Sequence, residues 1–238
     1  MSYTPSWLGP RLYPIKISFR PPFPPTDPLI ADYDFNFYSE FSPTIANQSA
    51  VDLSDALINE PALNTYVYDP SGNSYLSIFA PYSEGDQTGG ILCPSLGNVR
   101  SIEMWVNYQV GESYGQYFFD FRTGLSDGFW ITADGGFGDN IGLGVQGGEV
   151  FANTDSLGII TDTQPAMAPF LAGKGWYQIV VNFLSSFTDD LAFFMRYTGE
   201  QGMPISVAQV CIYDRVLTPA EILILYNNKC NRYGLSPK

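Results

Sequence analysis

Aromatic and polar residues alternate along most of this chain with a period of two, the pattern of strands that bury one face. In Asp32-Tyr33-Asp34-Phe35-Asn36-Phe37 the rings point one way and the polar groups the other. Thr65–Tyr68 and Tyr75–Phe79 flank the turn residues Asp69-Pro70-Ser71-Gly72-Asn73 and predict a hairpin. Ser101–Tyr108 sets Ile102, Met104, Val106 and Tyr108 on one face. Further strands are predicted at Gln116–Arg122, Gly128–Thr132, Trp176–Phe183, Leu191–Tyr197 and Ile205–Tyr213. Ile141–Gln146 and Glu149–Ala152 read as a second hairpin turning at Gly147-Gly148. Short strands punctuated this regularly predict two packed antiparallel sheets.

One segment breaks the period. Thr218-Pro219-Ala220-Glu221 offers an N-cap, a proline at the first helical position and a glutamate at the third. Ile222, Leu225 and Tyr226 then share one helical face, so a helix of about three turns is expected to pack on the sandwich.

Residues 1–28 follow neither period. They hold eight of the 18 prolines, at 5, 10, 14, 21, 22, 24, 25 and 28. Proline lacks an N–H donor and restricts its predecessor, so helix and central strand are excluded and an extended arm is expected. Large apolar side chains are interleaved with these prolines, among them Trp7, Tyr13, Phe19 and Phe23. Solvated linkers seldom carry so many, and these four are the expected interface residues of a docking arm. The division is therefore an arm over 1–30 and a sandwich domain over 31–238.

Composition supports sheet over helix: 45% hydrophobic, 16% aromatic and only 15% charged, with 23 glycines. The net charge of −13 argues against a nucleic-acid partner, which needs clustered Lys and Arg. Its distribution is uneven. Arg11, Lys16 and Arg20 against Asp27 give residues 1–31 a charge of +2, and the remaining eight basic and 23 acidic residues give −15. A basic arm could dock on an acidic neighbour, or its three cations could simply be solvated. No apolar run resembles a signal peptide or the ~18–20 residues of a membrane span. Cys93, Cys211 and Cys230 share no motif spacing and read as buried free thiols.

With these elements in place, the stretch Val207–Ile222 resembles the closing strand and helix of laminin-G-like domains in the concanavalin A-like lectin/glucanase superfamily. The carrying residues are Tyr213-Asp214-Arg215-Val216-Leu217 running into Thr218-Pro219-Ala220-Glu221-Ile222. Ser101–Tyr108 resembles the central aromatic strand of such domains and Trp176–Phe183 their later Trp-bearing strand. Asn227–Gly234, with Arg232-Tyr233-Gly234, is similar to the tail found in laminin-G-like domains of structural proteins from large DNA viruses and bacteriophages. The likeness spans about residues 30–235. It implies an all-β, two-sheet antiparallel jelly-roll sandwich of concanavalin A-like type, with one short C-terminal helix.

Fold does not decide function here, because lectins, glycosidases and capsid components share it. The chain has no histidine, which removes Ser-His-Asp and Cys-His sites and His-ligated zinc. The superfamily's glucanases alternate acids on one strand, whereas Ser101–Tyr108 offers only Glu103 and Phe119-Asp120-Phe121 only Asp120. No catalytic and no metal residues are expected, and no cofactor. Calcium remains an option at Asp134–Asn140, where acids on a glycine-rich stretch could supply hard oxygens; a plain turn is the alternative. A glycan platform could form from Asp127, Trp130, Asp134 and Asp139, although Trp130 also fits a core. The main expectation is a non-enzymatic minor capsid or other virion component, made in the host cytoplasm and joined to other capsid subunits by its arm. The alternative is a lectin-like module that binds glycans on a host or cell surface.

Overall fold

Most of the alternating stretches whose backbone is described are strands. The computed structural model of the chain describes residues 29–35, 44–49, 55–59, 63–68, 73–79, 87–108, 116–121, 128–131, 137–139, 148–160, 175–200 and 202–238. The strands are β1 (Leu29–Asp34), β2 (Thr44–Ile45), β3 (Ala56–Asn59), β4 (Asn64–Val67), β5 (Tyr75–Ile78), β6 (Gly90–Tyr108) and β7 (Gln116–Phe121). They continue as β8 (Phe129–Ile131), β9 (Phe137–Asp139), β10 (Gly148–Ala152), β11 (Asp155–Ile160), β12 (Trp176–Phe193) and β13 (Ile205–Tyr213). Helix α1 (Pro219–Lys229) follows, then a 3-10 turn over Cys230–Tyr233.

Two long strands make the sandwich. β6 and β12 pair antiparallel along most of their length, and each passes through both layers. In the first layer Trp176–Asn182 of β12 runs beside Ser101–Asn107 of β6. β10 and β11 extend that layer on one side, while β13, then β1 and β5–β4, extend it on the other. The register then shifts three times between Asn182 and Leu191, and the pair bends into the second layer. Bulges add the local twist that such a corner needs. There Leu191–Phe193 faces Ile91–Cys93, with β3 and β2 beyond β6 and β7, β8 and β9 beyond β12. Every pairing between described strands is antiparallel. The fold is an all-β sandwich with one short C-terminal helix.

Apolar residues of both layers meet between them. Ile102, Met104, Val106 and Tyr108 all enter this core, as the alternation predicts, and meet Phe119, Phe121, Leu191 and Phe193 of the second layer. The Phe119 ring meets Phe183 edge-on at 5.8 Å between centroids. Tyr33 of β1 places its hydroxyl 3.1 Å from the Cys93 thiol of β6, a polar contact across the layers. Burial pushes the Cys93 thiol up to about 12, so it is a neutral packing group. All three cysteines are free and buried, as read from their spacing.

The outer face of the first layer is covered by α1. Thr218 caps the helix through the Glu221 N–H, and Glu221 reaches back to the Thr218 N–H at 2.9 Å, completing the predicted capping box. A fork from Arg215 to both Glu221 oxygens, at 2.8 and 2.6 Å, holds that carboxyl down at about 2. Ile222, Leu225 and Tyr226 face inward, the three residues expected. Trp105 stacks beneath Tyr226 and Tyr233, with ring centroids 5.9 and 4.6 Å apart.

Several expectations are corrected. The hairpin at β10 closes onto β11 through Asn153 and Thr154, both at positive φ (47° and 77°), and Gly148 lies inside β10. Asparagine tolerates that region because its short amide bonds locally, so a turn formed without glycine. Ile141–Gln146 lies outside the described residues. Leu191–Tyr197 is not a separate strand: its first three residues end β12, and Phe194 turns the chain away at φ 63°. Within Asp134–Asn140, Phe137–Asp139 is the strand β9 and not loop. β2, β3 and the first eleven residues of β6 carry no clean alternation and were not expected.

Candidate functional site

The two carboxylates singled out from the sequence, Glu103 and Asp120, are fully buried and lie in different layers. Glu103 stands on the outer face of β6, in the cross-strand row Val180, Glu103, Cys211 and Asp32. The neighbouring row is Gln178, Trp105 and Gln209. A helix-covered sheet face is ordinarily apolar, and this one is polar along its middle. Glu103 accepts from Trp105 Nε1 at 2.9 Å, Gln178 Nε2 at 2.9 Å and the Tyr213 hydroxyl at 2.8 Å. Lys229, from the last turn of α1, reaches both its oxygens at 3.3 and 3.4 Å. Asp32 accepts from Gln209 Nε2 at 2.6 Å and from the Cys211 thiol at 3.4 Å. Burial pushes the Glu103 carboxyl up, but the Lys229 charge and the three donors outweigh it and hold it below the usual range. This carboxylate is saturated by its own fold and clamps the helix to the sheet.

Asp120 does comparable work in the second layer. It sits on β7 opposite Ala192 and is fully buried. Its Oδ1 accepts from the Phe121 and Gly128 N–H groups, both at 2.9 Å. Its Oδ2 accepts from the Tyr197 N–H at 2.9 Å. One oxygen therefore ties the last residue of β7 to Gly128 ahead of β8, and the other ties down the turn that follows β12. Gly128 is required at that closure, because a Cβ there would come within 2.6 Å of the Asp120 Cα. Neither carboxylate faces the other, so the two acids singled out for hydrolysis make no acid–nucleophile pair.

Of the four expected glycan residues the structure places two. Trp130 lies on β8 and Asp139 on β9. The register pairs Phe129 with Asp139 and Trp130 with Gly138, so the two stand one step apart on adjacent strands. Asp127 immediately precedes Gly128; it and Asp134 lie outside the described residues, as do Trp7, Tyr13, Phe19 and Phe23 of the arm. Among the described residues no group of three acid, Cys or His side chains is arranged to hold a metal.

Sequence reasoning missed the turn 194–200. Tyr197 is 39% exposed there, with the Arg196 guanidinium 5.6 Å from its ring centroid. Asp120, read only as a single acid in an aromatic strand, is what positions it. The signal for its role is faint: a lone carboxylate facing away from the core in an otherwise aromatic run.

No protein-family model matches the chain, and no curated protein sequence matches it significantly. Solved structures do. A mutant of Trypanosoma rangeli sialidase displaying trans-sialidase activity is similar at TM-score 0.54 and 13% identity, over 84% of this chain and 32% of that one. Trypanosoma rangeli sialidase in complex with the inhibitor DANA gives 0.54 at 12% identity, over 85% and 33%. A fainter likeness, TM-score 0.48 at 14% identity, covers 83% of this chain and 98% of domain 4 of AbnA, a GH43 extracellular arabinanase from Geobacillus stearothermophilus, in complex with arabinotriose. At that strength it carries no argument. This chain spans about a third of the sialidase chains it matches. What the likeness shows is the fold alone, an antiparallel β-sandwich.

Proposed function

We propose that the chain is a non-hydrolytic, carbohydrate-binding module of lectin-like, laminin-G-like character. Its contact surface is the end of the second layer where β7, β8, β9 and the turn 194–200 come together. The Asp120 arrangement carries this reading. A buried carboxylate that holds the end of β7, Gly128 and the turn 194–200 at once is how a fold pre-organises a contact site, since ordering them on binding would otherwise weaken affinity. The sialidases of similar fold suggest a class of ligand, sugars, and nothing finer. A glycan array probed with the whole chain should light a subset of glycans. Trp130→Ala should weaken that binding about tenfold, equivalent to about 1.4 kcal/mol, without lowering the melting temperature. An array that stays flat across all glycans overturns the proposal.

The second reading is a minor capsid or other virion component. Its support is the sequence of residues 1–28, where aromatics and prolines alternate under a positive charge above an acidic body. Deleting 1–28 should leave a folded domain that no longer enters its assembly. An insoluble truncation would instead assign those aromatics to the domain's own core.

A further inference from the structure

The turn 194–200 that follows β12 is tied down at most of its residues. Phe194, fully buried, sits at φ 63°, a region that bulky side chains rarely enter. Its N–H donates to the Phe118 carbonyl at 2.9 Å, and its own carbonyl accepts from the Met203 N–H at 3.0 Å. Met195, also fully buried, crosses over Gly90, where a Cβ would come within 2.7 Å of the Met195 sulfur. The Arg196 N–H donates to the Glu200 carbonyl at 2.8 Å, and the Gly199 N–H to the Arg196 carbonyl at 2.9 Å. The Gly199 carbonyl in turn accepts from the Thr88 N–H at 2.8 Å. With the Tyr197 N–H fixed on Asp120, the turn is held from strand β7 and from the Thr88 side at once. Strain of the Phe194 kind persists only where the surroundings over-determine it, and it concentrates at contact sites.

What this scaffold presents is one aromatic ring. The Arg196 guanidinium covers it from one side, 5.6 Å from the centroid, and part of the ring stays in solvent. A sugar ring has an apolar C–H face that lies flat on an aromatic, and hydroxyls at its rim that accept from a guanidinium fork. We propose that this turn is a sugar subsite: Tyr197 takes the C–H face of a neutral pyranose, and Arg196 steadies the ring and donates to the sugar's hydroxyls. This rests on the lectin-like reading and names its ligand class. Neutral sugars are favoured because the chain carries a net charge of −13, a field that opposes polyanionic glycans.

The test uses the whole chain and two panels of probes. Neutral gluco-, galacto-, xylo- and arabino-oligosaccharides form one; sialyllactose and oligogalacturonate form the other. Affinities are read by calorimetry. A neutral probe should bind, and its affinity should hold between low and high salt. Tyr197→Ala should weaken it tenfold or more and Tyr197→Phe less than twofold, both with unchanged melting temperature. A clear preference for the acidic panel, or wild-type affinity in Tyr197→Ala alongside loss in Trp130→Ala, overturns the subsite while leaving the lectin-like reading intact. No binding to any probe by the unmodified chain overturns both.

Discussion

Replacing Lys229 with methionine should lower the free energy of unfolding by about 3–5 kcal/mol, the usual cost of stranding a buried charge. Glu103 has no exposed side-chain surface, and the Lys229 side chain is 15% exposed. Methionine keeps most of the aliphatic stem that packs between α1 and the sheet, so the loss reports charge and not volume. The donors from Trp105, Gln178 and Tyr213 remain, but three hydrogen bonds do not replace the counter-charge. Adding Glu103→Gln to Lys229→Met should recover at least half of the deficit. The amide oxygen in the Oε1 position still accepts from Trp105 and Gln178, and the N–H₂ in the Oε2 position can donate to the Tyr213 hydroxyl, which accepts as well as donates. Urea unfolding of the unmodified chain, Lys229→Met, Glu103→Gln and the double variant gives the coupling energy. A Lys229→Met protein as stable as the unmodified chain would show that the pair contributes nothing.

The pH dependence of that difference has a fixed sign. Glu103 titrates below its unfolded value of about 4.3, because Lys229 and the three donors outweigh the effect of burial. Its contribution is therefore present above about pH 4.3 and is lost as the pH falls through the folded value. Lys229 is pulled down by burial, but Cys211, Glu103 and Asp32 raise it above the ordinary lysine range. Its contribution is present below about pH 10.4 and is lost as the pH rises through the folded value. In Lys229→Met the carboxyl loses its counter-charge and titrates higher, so acid protonates and relieves it. The gap between the two proteins should be widest near pH 7 and shrink below pH 4.

How much of this was legible depends on how local the cause is. The capping box and the Ile222, Leu225 and Tyr226 face of α1 could be read because all the groups lie within nine residues of one another. The inward set on Ser101–Tyr108 could be read because period two follows from the backbone alone. The corner was hidden. Pro94, Gly97 and Asn98 on β6, and Ser185 and Ser186 on β12, look like loop punctuation, yet the two strands run on through bulges, so two short strands were expected where β12 is one. Glu103 and Lys229 lie 126 residues apart. No spacing rule joins them, and only the packing of α1 brings them together. A separation of 77 residues likewise hid the Tyr197 turn, which is held on Asp120 by a backbone N–H with no side-chain signature.

Asp120→Ala should cost about 3–5 kcal/mol, since a buried donor left unsatisfied costs about 1–3 kcal/mol and three are released together. Water entering at the loop ends will return part of that, which keeps the estimate below the full sum. Asp120→Asn separates the two roles of this carboxylate. Its carbonyl can still accept from Phe121 and Gly128, but its amide N–H₂ then faces the Tyr197 N–H, donor against donor. The domain should stay folded, with amide exchange accelerated at Tyr197 far more than at Gly128. If Tyr197 carries the sugar, affinity should fall in step with that exchange although the ring itself is untouched. Asp120→Ala unfolding within about 1 kcal/mol of the unmodified chain would mean that the three N–H groups find other partners. The carboxylate would then be a packing feature of β7, and the rigidity argued for the 194–200 turn would have to come from Phe194 and Thr88 alone.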